Sequence, residues 1–483
     1  MMRSLPLLGL IACAATGDVA PPPPLPPPPP VAVLPPPPPA PTPSEPFDVD
    51  YRHLLDAMVK VDTSHGHETT LLEPIAARYR ELGVPVQILE SAPGRGNLVA
   101  RLRGSGQKRP LLLLAHVDVV PVEGQPWTVP AFEVTEKDGY LWGRGVNDDK
   151  AMAAAIVAIT SELVRDKTPL RRDVIIALTA GEETGGAAGA HWLTDHHKEL
   201  LDAETALNEG AGITLTDDAS KVRDVEIGVS EKLYQTFHVV VRGKGGHSST
   251  PPTDGDAVTT LARALVKIGG YRFPAHMLPE TKLALAREIP TASPAMAAAL
   301  RRAQTTAPNL LPADDKVITA DRHLNALVRT TCVATMLNGS PQDNVLPTTA
   351  EAEVNCRVLP GETRDAVLAT LKSTVADPEV AISFAALLGD GGRSLATGEV
   401  FDAVKTVAEE RYPGIPVEPS MGTGASDSRF LRGIGIQAYG VSPVTYSRPE
   451  LPHIAHGPDE RAPVRWFREG GLFLRDVTRA LVL

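Results

Sequence analysis

Apolar and polar positions alternate along the chain with two different periods. Val49–Val61 and Glu68–Leu82 repeat apolar residues at helical spacing, and Gly83 closes the second stretch as a C-cap glycine does. Strand-like runs follow at Val86–Leu89, Leu98–Leu102 and Leu111–Ala115. Leu111-Leu112-Leu113-Leu114-Ala115 has no polar face at all, which predicts a strand buried on both sides. Lys150–Arg165 reads as a helix before a second such strand, Val174–Thr179. Helix then strand recurs at Ala187–His197 and Thr205–Asn208. This alternation predicts an α/β fold with helices on both faces of the sheet.

From about Lys232 the pattern changes. Tyr234–Arg242 alternates as a strand, Asp256–Ile268 reads as a helix, and Val328–Leu337 and Ala350–Leu359 read as paired strands. Thr363–Val375 and Val380–Phe384 add a helix and a strand, so this part is an α+β module. Tyr271–His323 lacks a clear period and is long for a loop. Only Ala-rich Ser293–Thr305 suggests a helix within it. Val400–Arg411, Ile434–Tyr439 and a helix beyond Pro463 then restore the α/β pattern. The second module is therefore expected as an insertion at 232–389 into a body formed by 47–231 and 390–483. No internal repeat is visible.

The N-terminus carries different information. Arg3 precedes a short apolar run, Leu5–Ala12, too short to span a bilayer. Leu10-Ile11-Ala12-Cys13 is similar to the lipobox of bacterial lipoproteins. Residues 1–20 are accordingly expected to be a lipoprotein-type signal with its lipidation site, the alternative being a secretory signal with a chance cysteine. A lipid on Cys13 would tether the chain to a membrane in the periplasm or cell envelope. Without it the chain would be secreted. The Pro-rich run 21–46 favours extended polyproline II and reads as a semi-rigid spacer. Net charge is −11 with no Lys/Arg block, which argues against nucleic-acid binding. Cys332 and Cys356 sit symmetrically about Asn344 and could face each other across two strands. The restrictive geometry of cross-strand disulfides weighs against their pairing.

Candidate chemistry gathers where predicted strands end. His116-Val117-Asp118 directly follows the first fully apolar strand, and ligands commonly sit outside the carboxyl ends of such strands. Asp118 could orient the imidazole through its outer nitrogen. Gly143-Arg144-Gly145-Val146-Asn147-Asp148-Asp149-Lys150 ends at a helix start, where its acidic pair would also serve as a cap. Gly181-Glu182-Glu183 follows another buried strand; adjacent carboxylates there repel unless a cation is present. One of the two glutamates could bind metal while the other acts as a general base. Asn208-Glu209-Gly210 ends a further strand, and His456 comes late, in His456-Gly457-Pro458-Asp459-Glu460-Arg461. Each motif alone is weak. Together they form an oxygen- and nitrogen-donor set without cysteine, which suits catalytic rather than structural Zn²⁺.

This ordered set resembles the zinc-dependent exopeptidases and aminoacylases of metallopeptidase family twenty, clan MH. The likeness runs from about Asp50 to the end. It is nearest the carboxypeptidase S branch, through Val229-Ser230-Glu231-Lys232 and Gly246-His247-Ser248-Ser249. The resemblance implies a catalytic α/β domain with a mixed sheet and an inserted dimerisation domain. It implies two Zn²⁺ per subunit, with Co²⁺ or Mn²⁺ as possible substitutes. His116 and Glu209 would hold one metal, Glu183 and His456 the other, and Asp148 would bridge them. Asp118 would support His116, and Glu182 would be the general base on a metal-activated water. His247 would act in trans within a homodimer, and Asn344 and Arg357 would bind substrate, Arg357 offering a bidentate fork for a carboxylate. The expected reaction is cleavage of an amide next to a free carboxylate, in a small peptide or an N-acyl amino acid. Ala151, Asn208 and the extra Ala425 in Gly422-Thr423-Gly424-Ala425-Ser426-Asp427-Ser428-Arg429 depart from the family pattern.

Two other readings compete. Gly228-Val229-Ser230-Glu231-Lys232 and Gly424-Ala425-Ser426-Asp427-Ser428 both begin like the nucleophile elbow of a serine hydrolase, but each lacks the final glycine. A metal-free receptor on the same fold is the other, and the filled ligand positions argue against it.

Overall fold

The computed structural model describes residues 46–340, 342–385, 391–453 and 455–483. The signal segment, Cys13 and nearly all of the Pro-rich spacer lie outside the described residues. So does the boundary expected near residue 390. No described helix is long and apolar enough to cross a membrane.

The fold is α/β, built on a mixed ten-stranded sheet. Its centre runs in the order Gly96–Leu102, Val174–Thr179, Leu111–His116, Thr205–Asn208, Gln437–Gly440, Val222–Glu231. Leu111–His116 pairs in parallel with both Val174–Thr179 and Thr205–Asn208, and Gln437–Gly440 pairs in parallel with Thr205–Asn208. The apolar run at Leu111 is explained by its two neighbours. Leu111, Leu113 and Ala115 join the core under the helices Pro46–Val59, Glu68–Glu81, Lys150–Arg165 and Val464–Val482. Leu112 and Leu114 pack on the opposite side with Ala190, Leu193, Phe430 and Leu431. Four parallel strands therefore end on one edge, and His116, the Glu182–Glu183 loop and Glu209 all emerge there.

The chain leaves this sheet at Glu231 and enters a four-stranded antiparallel sheet ordered Thr331–Asn338, Thr349–Val358, Leu233–Arg242, Val380–Phe384. Buried and part-buried residues alternate along Leu233–Arg242, and the buried face packs on the helices Ala257–Gly270 and Arg364–Val375. Cys332 stands opposite Cys356 in this sheet, and the two form a disulfide with Cα atoms 4.1 Å apart. The geometric objection to pairing thus fails, because the register puts the two residues directly across from each other.

The stretch 271–323 is also different from the sequence reading. It holds the helices Pro279–Glu288, Pro294–Thr306 and Pro312–Ile318, and Arg322–Val328 begins before its end. They bury Leu285, Leu300, Ile318, Leu324 and Leu327 against one another in a small core of their own. Val328, read as the start of a strand, ends the last of these helices. Val222–Glu231 was likewise missing from the predicted elements, although it is a ten-residue strand of the main sheet.

Candidate metal centre

The ligand atoms of six residues converge in two groups, each within 4.8 Å: His116 with Glu182 and Glu209, and Asp148 with Glu183 and His456. Asp148 stands between them. Its Oδ1 is 3.1 Å from His116 Nε2 and its Oδ2 is 3.3 Å from His456 Nε2. His456 Nε2 is also 3.0 Å from Glu183 Oε2, and His116 Nε2 is 3.9 Å from Glu209 Oε1. All five residues expected as ligands are therefore in one place, although they come from widely separated segments. Glu182, expected as a base, also lies within ligating range of His116 and Glu209.

Local hydrogen bonds explain how the loops are held. Asp118 accepts the backbone N–H groups of Glu182 (3.0 Å) and Glu183 (3.1 Å), which fixes the turn that presents both glutamates. Gly181 opens that turn with φ +67, and a side chain there would collide with Arg95. His116 Nδ1 lies 3.1 Å from the carbonyl oxygen of Asp118 and 3.5 Å from its carboxylate, so its Nε2 is left facing the cluster. Asn208 reaches across to Ser428 Oγ at 3.0 Å and ties the Glu209 strand to the loop after Gly422.

Charge is badly balanced without a cation. Burial pushes the Glu182 and Glu209 carboxyls well above the usual carboxylate range, and neighbouring carboxylates add to the effect. Burial opposes charge on His116, but Asp118, Asp148 and Glu209 outweigh it and raise its pKa. Hydrogen bonds to Asp148 and Glu183 lift His456 to about 10. Burial works against ionised Asp148, yet His116 and His456 hold it well below the usual value. Such mutual demand for positive charge, in a hard oxygen and nitrogen donor set, is what a pair of divalent metals satisfies. The residues present fit that group.

Residues 112–480 match the profile of Peptidase family M20/M25/M40. The chain belongs to this family. It is 27% identical over 370 residues to "Probable carboxypeptidase S-like 2" of Dictyostelium discoideum, covering 75% of this chain and 69% of that one. It is 30% identical over 379 residues to "N-fatty-acyl-amino acid synthase/hydrolase PM20D1.1" of Danio rerio, covering 75% and 71%. The crystal structure of the M20 metallo-carboxypeptidase Sso-CP2 from Sulfolobus solfataricus superposes with a TM-score of 0.68 at 18% identity, over 89% of this chain and 99% of that one. The chain is thus a hydrolase of a metallopeptidase family.

The remaining expected site residues separate into two sets. Arg357 stacks its guanidinium over Tyr234 at 4.6 Å, and burial lowers its pKa, with Arg429 and Glu182 among its electrostatic neighbours. It is thus close enough to Glu182 to interact with it electrostatically. His247 and Asn344 do not reach the cluster in this chain. They lie at an exposed two-stranded antiparallel pairing of Gly246–His247 with Val345–Leu346, where Ser248 N–H donates to Asn344 O at 3.0 Å and His247 Nδ1 meets Ser249 Oγ at 2.8 Å.

Glu460, Arg144, Asp427 and Arg429 had been given no role from sequence. Glu460 is fully buried and accepts N–H groups from Gly145 (3.1 Å), Asn147 (2.9 Å) and Asp148 (3.2 Å), while its other oxygen meets Arg144 at 2.7 Å. Arg144 also donates to Gln125 Oε1 and to the carbonyl of Gly457. Asp427 is buried beside Glu182 and accepts from Thr179 Oγ1 at 2.9 Å. Each stands inside a motif noted in the sequence, but nothing local to those motifs singles it out from its neighbours.

The serine hydrolase alternative finds no support here. Ser230 is buried and donates to Glu280 Oε1 at 2.7 Å, and Ser426 Oγ is engaged by Asn208 and by the N–H of Ser428. Neither has a histidine among these partners.

Proposed function

We propose that this chain hydrolyses the amide bond beside a free carboxylate, in a small peptide or an N-acyl amino acid, at a two-zinc centre. The observation that carries this reading is Asp148, whose two oxygens face His116 and His456 separately. His116 and Glu209 would hold one metal and Glu183 and His456 the other, with Asp148 shared. Co²⁺ or Mn²⁺ would satisfy the same donors. When bound, the metals would lower the pKa of water toward neutrality and polarise the scissile carbonyl.

Glu182 is the group left to move protons. It takes the proton of the attacking water and delivers it to the departing amine nitrogen, so the carbonyl carbon gains the oxygen and the C–N bond breaks. Its burial suits proton uptake, because a desolvated carboxyl holds a proton more readily than an exposed one. Arg357 pairs with the substrate carboxylate and so sets which amide lies at the cluster.

The reading includes a homodimer built through the inserted module 232–389. Thr331–Asn338 is the edge strand of the four-stranded sheet and exposes Val333, Met336 and Leu337. An apolar edge of this kind is a template for a second copy. The partner subunit's His247 would then supply a donor to the developing oxyanion. Lipidation at Cys13 would anchor the dimer in the cell envelope. Glu182→Gln tests the core of the proposal: two metals retained with turnover largely lost is the expected result, and undiminished turnover rejects Glu182 as the base.

A further inference from the structure

We infer that the cavity beside Asp148 and Glu209 is the subsite for the acyl half of the substrate, and that it selects an aromatic or branched aliphatic group over a long fatty chain. The inference rests on the amidohydrolase reading above and names its substrate class. The cavity has a volume of about 210 Å³, and Asp148 and Glu209 form the part of its lining that belongs to the metal groups. Ala211, Val444, Ala455 and Tyr446 supply apolar wall. Asn147 and Asp149 also line it, the latter with a buried Oδ2 that has no hydrogen-bond partner, but the polar atoms of Tyr446 and Ser442 are engaged. Tyr446 donates its hydroxyl to Glu226 at 3.4 Å, and Ser442 Oγ accepts the N–H of Val444 at 3.1 Å. Away from the carboxylates of Asp148, Asp149 and Glu209, the wall offers a ligand mainly methyl groups and a ring.

The two arms of an amide substrate have different needs, and two different environments border the cluster. Arg357 and Arg429 are electrostatic neighbours of Glu182, and none of these three residues lines the cavity. A carboxylate-bearing arm belongs with the guanidinium groups. The acyl arm is then left with the cavity beside Asp148 and Glu209. A second cavity of about 170 Å³ also borders Glu209, but it is walled largely by glycine and serine and carries the Glu231–Arg432 ion pair. It offers less to a hydrocarbon group. Size sets the class: an engineered apolar cavity of about 150 Å³ holds one benzene ring. The present volume takes a benzoyl, phenylacetyl or isovaleryl group, whereas most of a sixteen-carbon chain would remain outside.

The test is the kcat/KM of the metal-loaded wild type on N-acetyl-, N-benzoyl- and N-palmitoyl-amino acids, repeated in Ala455→Trp and Val444→Ala. The wild type should prefer N-benzoyl over both others. Ala455→Trp should cut the benzoyl-to-acetyl ratio by about tenfold or more, the scale on which apolar pockets discriminate. Val444→Ala should move the preference toward bulkier acyl groups. Turnover with ratios unmoved in both variants, or a wild type that prefers N-palmitoyl, overturns the inference alone. Absence of turnover on the whole panel overturns the amidohydrolase reading and the inference with it.

Discussion

Removing the Glu460 carboxylate should release Asp148, the proposed shared ligand, without touching any proposed ligand. Glu460 comes from the segment that carries His456, and it collects three N–H groups, those of Gly145, Asn147 and Asp148, from the loop that carries Asp148. Gly143 N–H donates to its carbonyl oxygen as well, at 3.0 Å. The carboxylate therefore fastens two ligand loops to each other. In Glu460→Ala the guanidinium of Arg144, 1% exposed, loses its charge partner, and three loop N–H groups lose their acceptor. Breaking one side of a buried ion pair costs about 3–5 kcal/mol. Arg144 keeps its bonds to Gln125 and Gly457, so the lower end of that range is the better expectation. Glu460→Gln retains an oxygen for the N–H groups but turns an amide N–H donor toward Arg144, so the charge-assisted hydrogen bond to Arg144 is lost, at about 1.5–3 kcal/mol. Urea unfolding should rank the variants wild type, Gln, Ala from most to least stable, and metal analysis should show the Asp148–Glu183–His456 group emptied first. An alanine variant with an unchanged urea midpoint and full metal content would refute the idea that this carboxylate holds the site.

Two further outcomes follow from other parts of the molecule. Met336→Glu with Leu337→Glu should convert a dimer into monomers in sedimentation velocity and reduce turnover by withdrawing the partner subunit's His247; a fully active monomer would contradict action in trans. Asp50 is half-buried, and Arg78 and Arg165 overcome that burial to hold its carboxyl below the usual range. A folded-state pKa below the unfolded one gives stability that is present above about pH 4 and is lost as pH falls through the folded value. Asp50→Asn should therefore lower the melting temperature at pH 7 and lose that difference at pH 2, and an equal difference at both would contradict it.

The parts of this architecture that were legible in the sequence share one property: a local pattern that the structure uses without modification. Leu111–Leu114 and Val174–Leu178 are apolar because both faces are covered, and the ligands lie where those strands stop. Val222–Glu231 was obscured because Arg223, Asp224 and Glu226 interrupt its apolar positions. Glu226 is paired from outside the strand by Arg287 at 2.6 Å, while Asp224 pairs with its neighbour Arg223 and accepts from Thr214. The helices within 271–323 are short and bury narrow faces on one another. Their starts were still marked, since Pro279, Pro294 and Pro312 each stand in a first turn and Ser293 caps its helix through Met296 N–H. Glu460 was illegible for a different reason. Its partners Gly145 and Asn147 are more than three hundred residues away, and no local pattern reports such a contact.

The central claim is that five side chains grip two metals through a shared aspartate. Metal content per chain, by mass spectrometry on purified wild type and on Asp148→Ala, tests it most directly. The account predicts two divalent ions in the wild type and loss of both, or near loss, in the variant. A wild type that binds no metal at saturating zinc, or a variant that keeps both ions, would contradict it.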